Sequence, residues 1–178
     1  MSFGQKFALE RAYMHQAFDL VRSWLPEGFV DEAVFAPWAD RLGQGEGRFP
    51  EALVLLPSPE RWPILEPACT VHFDSDPRDI FLGAITRKAY AFRQLEKLRD
   101  AAEHLPMFRV GWIGGSGSTT YHACRHDIVL PIAGPYLDQL LTEKVWACNC
   151  STMAMSNPML AARGLRVAQP LPKTVPTS

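Results

Sequence analysis

The stretch Met107–Ser151, MFRVGWIGGSGSTTYHACRHDIVLPIAGPYLDQLLTEKVWACNCS, holds three of the chain's four cysteines and two of its five histidines. Two strand-like apolar runs, Met107–Ile113 and Thr119–Leu130, flank the glycine-serine sequence GGSGS at 114–118. Two such runs around a short glycine-rich loop predict a β-hairpin. Two further elements are predicted after it, a short helix and a strand: Tyr136–Lys144 and Val145–Cys150.

The same stretch contains a candidate metal site. His122, Cys124 and His126 follow one another at every second position, as do Cys148 and Cys150. Side chains two residues apart on a strand point to the same face. Zinc is bound in proteins by four cysteine or histidine ligands in a tetrahedron. These five residues are therefore the candidate ligands, and zinc is the candidate cofactor.

Three other interpretations of the stretch remain open. Cysteine is often buried and packs as a small hydrophobe, so the thiols can be core filling, which we favour. A catalytic thiol needs a base, and His72 or His104 would suit Cys124 better than histidines parallel to it on the same strand. Gly114–Thr120 could hold a phosphate through amides and hydroxyls, but it lacks the lysine and the helix of a P-loop.

The first part of the chain predicts two helices and a buried strand. Apolar residues recur at helical spacing from about Gln5 to Leu25. A second helix is expected from Asp31, a suitable N-cap, to Leu42, with Pro37 kinking or shortening it. The apolar run Glu51–Leu56 is short and lies between prolines, which is typical of a buried strand.

The next segment, Pro57–Ala68 (PSPERWPILEPA), contains four prolines and is expected to be a loop on the surface. Its three large apolar side chains should pin it to the core: Trp62, Ile64 and Leu65. Cys69–Phe73 then predicts another strand. The clearest helix follows, with Asp76 as its N-cap, Pro77 at its first position and Pro106 after its end. We expect this helix to break near Gly83, and its charged side chains to form a solvated face.

Composition sets the class of protein. With 47% hydrophobic and 21% charged residues, the chain matches an ordinary globular protein. A net charge of -1 gives no basic footprint for nucleic acid, and no apolar run is long enough to span a bilayer. We expect a single α+β domain over residues 1–165, with N-terminal and central helices packed on a mostly antiparallel sheet of four or five short strands. Residues 166–178 are expected to be a flexible tail.

The function expected from these features is that of a small cytoplasmic interaction or accessory protein without catalytic activity, with metal stabilisation as an option. Its partner would be another protein, contacted through Trp62 or Trp112, because exposed aromatic residues commonly anchor interfaces. Neither a membrane nor nucleic acid is expected as a partner. The alternative is a small enzyme that uses the His/Cys stretch 122–150, with a carboxylate such as Asp127, for metal-assisted hydrolysis or thiol chemistry.

Chelation separates the interpretations of the cysteines. If they are core filling, a chelator should leave the unfolding midpoint unchanged, and alkylation of the thiols should require denaturant. This is the expected result. Loss of about one equivalent of zinc together with the fold would contradict it, because the binding energy of a structural metal is part of the folding energy. A catalytic thiol would instead be alkylated rapidly in the native, metal-free protein.

Overall fold

A computed structural model describes residues 11–65, 76–112, 127–146 and 150–168, and shows a mixed fold of helices and one antiparallel sheet. The elements of these ranges are α1 (Arg11–Arg22), α2 (Glu32–Gly43), α3 (Phe49–Leu55), α4 (Pro77–Asp100), β1 (Met107–Trp112), β2 (Val129–Pro131), α5 (Tyr136–Thr142), β3 (Cys150–Met155) and α6 (Asn157–Ala162). The predicted combination of helices with an antiparallel sheet is confirmed. The expected four or five strands are too many, since the described residues form three. The predicted strand Cys69–Phe73, the GGSGS turn and most of Thr119–Leu130 lie outside the described residues.

Helices α1 and α2 pack against each other through aromatic and small residues. α1 buries a stripe with helical spacing: Met14, Ala17, Phe18 and Val21. The Phe18 ring stacks on Phe35 of α2 with 4.3 Å between ring centroids. α2 begins as predicted, because the Asp31 carboxylate accepts a hydrogen bond of 2.9 Å from the Ala33 amide. It continues through Pro37 to Gly43.

The end of α2 lies directly against the start of α1. A Cβ atom on Gly43 would stand only 2.5 Å from the Arg11 Cα atom, so the two backbones touch where a side chain is missing. Asp40 of α2 joins the same two helices. Its carboxylate accepts a hydrogen bond from His15 and forms an ion pair with Arg11 at 2.8 Å. The hydrogen bond with His15 is the main cause of the lowered pKa of Asp40.

The predicted strand Glu51–Leu56 is wrong, because these residues belong to helix α3 and the turn after it. Pro50 occupies the first turn of α3, where an N–H group would have no partner within the helix. The negative charge of Glu51 is favourable in the same turn, because the N-terminus of a helix is its positive end. Only one face of a helix can reach the core. Ala52 is buried there, whereas Val54 is exposed.

Helix α4 does not break at Gly83 and runs without interruption for 24 residues. The Asp76 carboxylate caps it by accepting a hydrogen bond of 2.9 Å from the Arg78 amide. A glycine inside a helix costs only about 1 kcal/mol relative to alanine, and burial of the neighbouring residues on both sides offsets this. The buried residues of α4 extend from Phe81 to Leu98.

Strand β1 is the centre of the sheet, with β2 on one side and β3 on the other. Phe108 lies opposite Leu130 of β2 and Ala154 of β3. Side chains alternate between the two faces of the sheet. One face packs on the second half of α4 through Phe108, Val110, Leu130, Leu95 and Leu98. The other face packs on α6 and the chain after it through Val129, Met155, Leu160 and Met107.

The predicted strand Val145–Cys150 is wrong at its start, since Val145 is not in a strand and Trp146 lies in a turn, whereas Cys150 belongs to β3 and residues 147–149 lie outside the described part of the chain. The Trp146 carbonyl accepts a hydrogen bond of 2.7 Å from the Arg87 guanidinium, and the Glu143 carbonyl accepts one of 3.1 Å from the Lys88 ammonium. The Trp146 ring meets the edge of Trp24 at a centroid distance of 5.1 Å. Side chains of the helices therefore hold residues 143–146.

The start of the predicted tail is attached to the sheet. Val167 forms a parallel bridge with Val129, and the Ala168 amide donates a hydrogen bond of 2.9 Å to the Val129 carbonyl. Residues 169–178 lie outside the described part of the chain, where the flexible tail remains a prediction. None of the helices in the described ranges is long and apolar enough to cross a membrane.

Substitution of Gly43 tests the close approach of α1 and α2. Gly43→Ala should lower the free energy of unfolding by about 1–3 kcal/mol, the usual cost of overpacking, because the new Cβ meets backbone atoms of Arg11 that cannot move alone. Gly83→Ala is the matched control in another helix. Its Cβ would meet only the flexible end of Arg87, at 3.0 Å. Urea denaturation of both variants measures the difference, and equal midpoints would contradict the backbone contact.

Candidate functional site

Four of the five predicted metal ligands lie outside the described residues: His122, Cys124, His126 and Cys148. The fifth, Cys150, is the first residue of β3 and is half-buried. Among the described residues no group of three His, Cys, Asp or Glu side chains is placed to hold a metal ion. The metal site is therefore untested and remains a prediction.

Cys150 lies at the end of the sheet, opposite Trp112 of β1. Its side chain packs against the cluster formed between the sheet and α4. The carboxylate expected for the enzyme alternative, Asp127, is near the same end, because its amide donates a hydrogen bond of 2.9 Å to the Val110 carbonyl. The Asp127 carboxylate accepts a hydrogen bond of 3.0 Å from the Arg109 guanidinium and is therefore already paired with an arginine.

The backbone of Asp127 has a φ angle of +64°, in the left-handed region that few residues other than glycine adopt. Aspartate is among the side chains that tolerate this region best, and its ion pair with Arg109 helps to hold it there. The strained residue lies where the chain enters β2 beside Val110.

The two predicted interaction residues have different positions. Trp112 is the last residue of β1, and its role as an anchor stays a prediction. The side chain of Trp62 is only 8% exposed. Its ring meets Phe29 and Phe81 at centroid distances of 4.9 and 5.3 Å, and its Nε1–H donates a hydrogen bond of 3.1 Å to the Pro57 carbonyl. Trp62 thus faces the core of the protein.

The structure places exposed apolar side chains on either side of this tryptophan. Val54 is 83% exposed, Leu55 is 44% exposed and Ile64 is 91% exposed. Ile64 was expected to pin the loop, but Trp62 and Leu65 pack against the core while Ile64 faces outward. The hydrogen bond from Trp62 to Pro57 closes the turn between Leu55 and Ile64, and each of these two residues lies two positions outside that bond.

We call Val54, Leu55 and Ile64, with the charged residues Glu60 and Arg61 between them, the α3 surface. It contains three of the six large apolar residues that are exposed in the described ranges. Isolated exposed apolar residues are common, whereas several in one segment commonly indicate an interaction site. The α3 surface is therefore the candidate functional site.

The charges around the α3 surface are balanced. Arg41 pairs with Glu51 at 2.9 Å across α2 and α3. A hydrogen bond from Ser58 is the main cause of the lowered pKa of Glu60. Arg61 is exposed next to it. The apolar residues are thus bordered by both signs of charge, without a basic or acidic excess.

The prediction of a buried strand at EALVLL hides the α3 surface, because it places these apolar residues in the core. The signal that could have found it is Pro50 followed by Glu51, a common start of a helix. With helical spacing, Ala52 and Leu56 fall on one face, and Val54 falls on another. The sequence by itself could have placed Val54 away from the core in this way.

Comparison with family models, curated proteins and solved structures found no match to this chain.

A pair of substitutions tests the opposite orientations of Trp62 and Ile64. Trp62→Ala should reduce the free energy of unfolding by roughly 3–5 kcal/mol, because it empties a buried aromatic site. Ile64→Ser should change it by about 0.5 kcal/mol or less, because the side chain already faces solvent. Both values come from urea denaturation curves. A large loss of stability in the Ile64 variant would show that this side chain packs against the protein.

Proposed function

We propose that this protein is a small interaction or accessory protein without catalytic activity, and that it binds another protein through the α3 surface. The observation that carries this proposal is the exposure of Val54 and Ile64, at 83% and 91%. Removal of apolar surface from water contributes about 25 cal/mol per Å² to association. Because these side chains are still largely in contact with water, most of this free energy is gained only when a partner covers them.

The fixed position of the α3 surface also supports the proposal. Leu56 and Trp62 are buried on the two sides of its turn, and the bond from the Trp62 indole to the Pro57 carbonyl closes the turn. Arg78 of α4 reaches back to α3 and donates a hydrogen bond of 3.4 Å to the Leu53 carbonyl. A surface that is already ordered loses less conformational entropy when it binds, which favours affinity.

Two expectations from the sequence belong to the same proposal. The location would be the cytoplasm, since four cysteines in 178 residues are too few for a disulfide scaffold. Zinc would serve only as a structural ion, held by the candidate ligands between His122 and Cys150. The chelation experiment decides that second point independently of the α3 surface.

Site-specific photocrosslinking tests the proposed function. A photoreactive phenylalanine analogue at position 64 should give a discrete crosslinked product in the cells that produce the protein, because that position would lie inside the interface. The matched control is the same analogue at position 97, where Lys97 is exposed on α4. A product from position 64 alone is expected. No product from position 64, or the same products from both positions, would contradict the proposal.

A further inference from the structure

The structure points to a second copy of this chain as the partner of the α3 surface. We propose that two copies dock through this surface around a two-fold axis, so that Ile64 of each copy packs against the apolar residues of the other. This inference rests on the proposed function and names its partner. It is carried by the arrangement of charge within the surface.

The two charged residues of the α3 surface are neighbours of opposite sign. Glu60 and Arg61 are both exposed and lie in the turn that precedes Ile64. In a two-fold interface each surface meets an identical one, so residue i contacts residue j and residue j contacts residue i. A surface with one sign of charge would repel its copy. Here Glu60 of each chain can pair with Arg61 of the other, which gives two reciprocal ion pairs.

The remaining charges do not oppose this arrangement. Glu51 is already paired with Arg41, and Arg78 is already paired with Asp76 at 2.7 Å. Neither pair adds net charge to the border of the surface. An interface with an acidic or a basic protein would instead need an excess of the opposite charge at this border, since complementary potentials select partners.

A membrane is a less suitable occupant than a second copy. Helices that lie on membranes combine an apolar face with many lysine or arginine residues that attract anionic lipids. Residues 49–65 contain one arginine and no lysine, against two glutamates. The apolar part of the surface also lies on a seven-residue helix and a turn, which is short for an interfacial helix.

Sedimentation velocity over a concentration series tests the proposed dimer. The full chain should change from monomer to dimer over a range on the order of 1–500 μM, as expected for a modest interface. Ile64→Ser should remain a monomer over the same range. Lys97→Ser, which changes an exposed residue outside the α3 surface, should dimerise as the unchanged protein does. A monomer at every concentration would overturn the inference.

Charge reversal tests the reciprocal ion pairs. Glu60→Arg and Arg61→Glu should each weaken dimerisation roughly tenfold, because each substitution brings two pairs of like charges together. The double variant Glu60→Arg/Arg61→Glu restores opposite charges across the two-fold axis and should recover most of the affinity. Unfolding midpoints verify that all variants fold. A double variant as weak as the single ones would overturn the proposed pairing.

The crosslinking experiment separates the two proposals. A product at position 64 with the mass of two copies supports both of them. A product with a different protein, together with a monomer in sedimentation, overturns the dimer and leaves the proposed interaction function standing. Absence of both a product and a dimer overturns the two proposals together.

Discussion

Helix α4 is the element on which the other parts of the structure depend. At about 1.5 Å per residue its 24 residues extend for roughly 36 Å. Phe81 and Ile85 near its start pack with α1 and α2, while Leu95 and Leu98 near its end pack with the sheet. Neither the helices nor the sheet could bury their apolar faces in this arrangement without it. One long helix thus contributes buried residues to two hydrophobic clusters.

Two cationic side chains in the middle of α4 bind the segment that follows α5. Arg87 donates a hydrogen bond to the backbone carbonyl of Trp146, and Lys88 donates one to the carbonyl of Glu143, the residue directly after α5. Lys88 is only 6% exposed, and its ammonium lies 5.4 Å from the centre of the Trp24 ring. A buried cation is costly unless polar groups and aromatic faces surround it. The Glu143 carbonyl and the Trp24 ring are such groups for Lys88.

Among the described residues, this arrangement places most aromatic side chains in or against the core and leaves the α3 surface to aliphatic ones. Trp62 and Trp38 close the helical cluster, and both indole nitrogens donate to backbone carbonyls of nearby loops. Such bonds satisfy the polar atom of a buried tryptophan. The turn after α3 is fixed from the inside in this way, and Val54 and Ile64 are presented to solvent. A rigid apolar surface is the feature that the proposed function uses.

Local sequence signals determined the helices with clear caps. Asp31, and Asp76 followed by Pro77, marked the starts of α2 and α4, since a cap depends on neighbouring residues only. The direction of Trp62 and Ile64, the entry into β3 at Cys150 and the continuity of α4 at Gly83 were decided by tertiary structure. Each depends on contacts with distant residues, as when Arg87 binds the Trp146 carbonyl. Apolar spacing shows which residues can be buried, but the helix or strand that receives them decides which ones are.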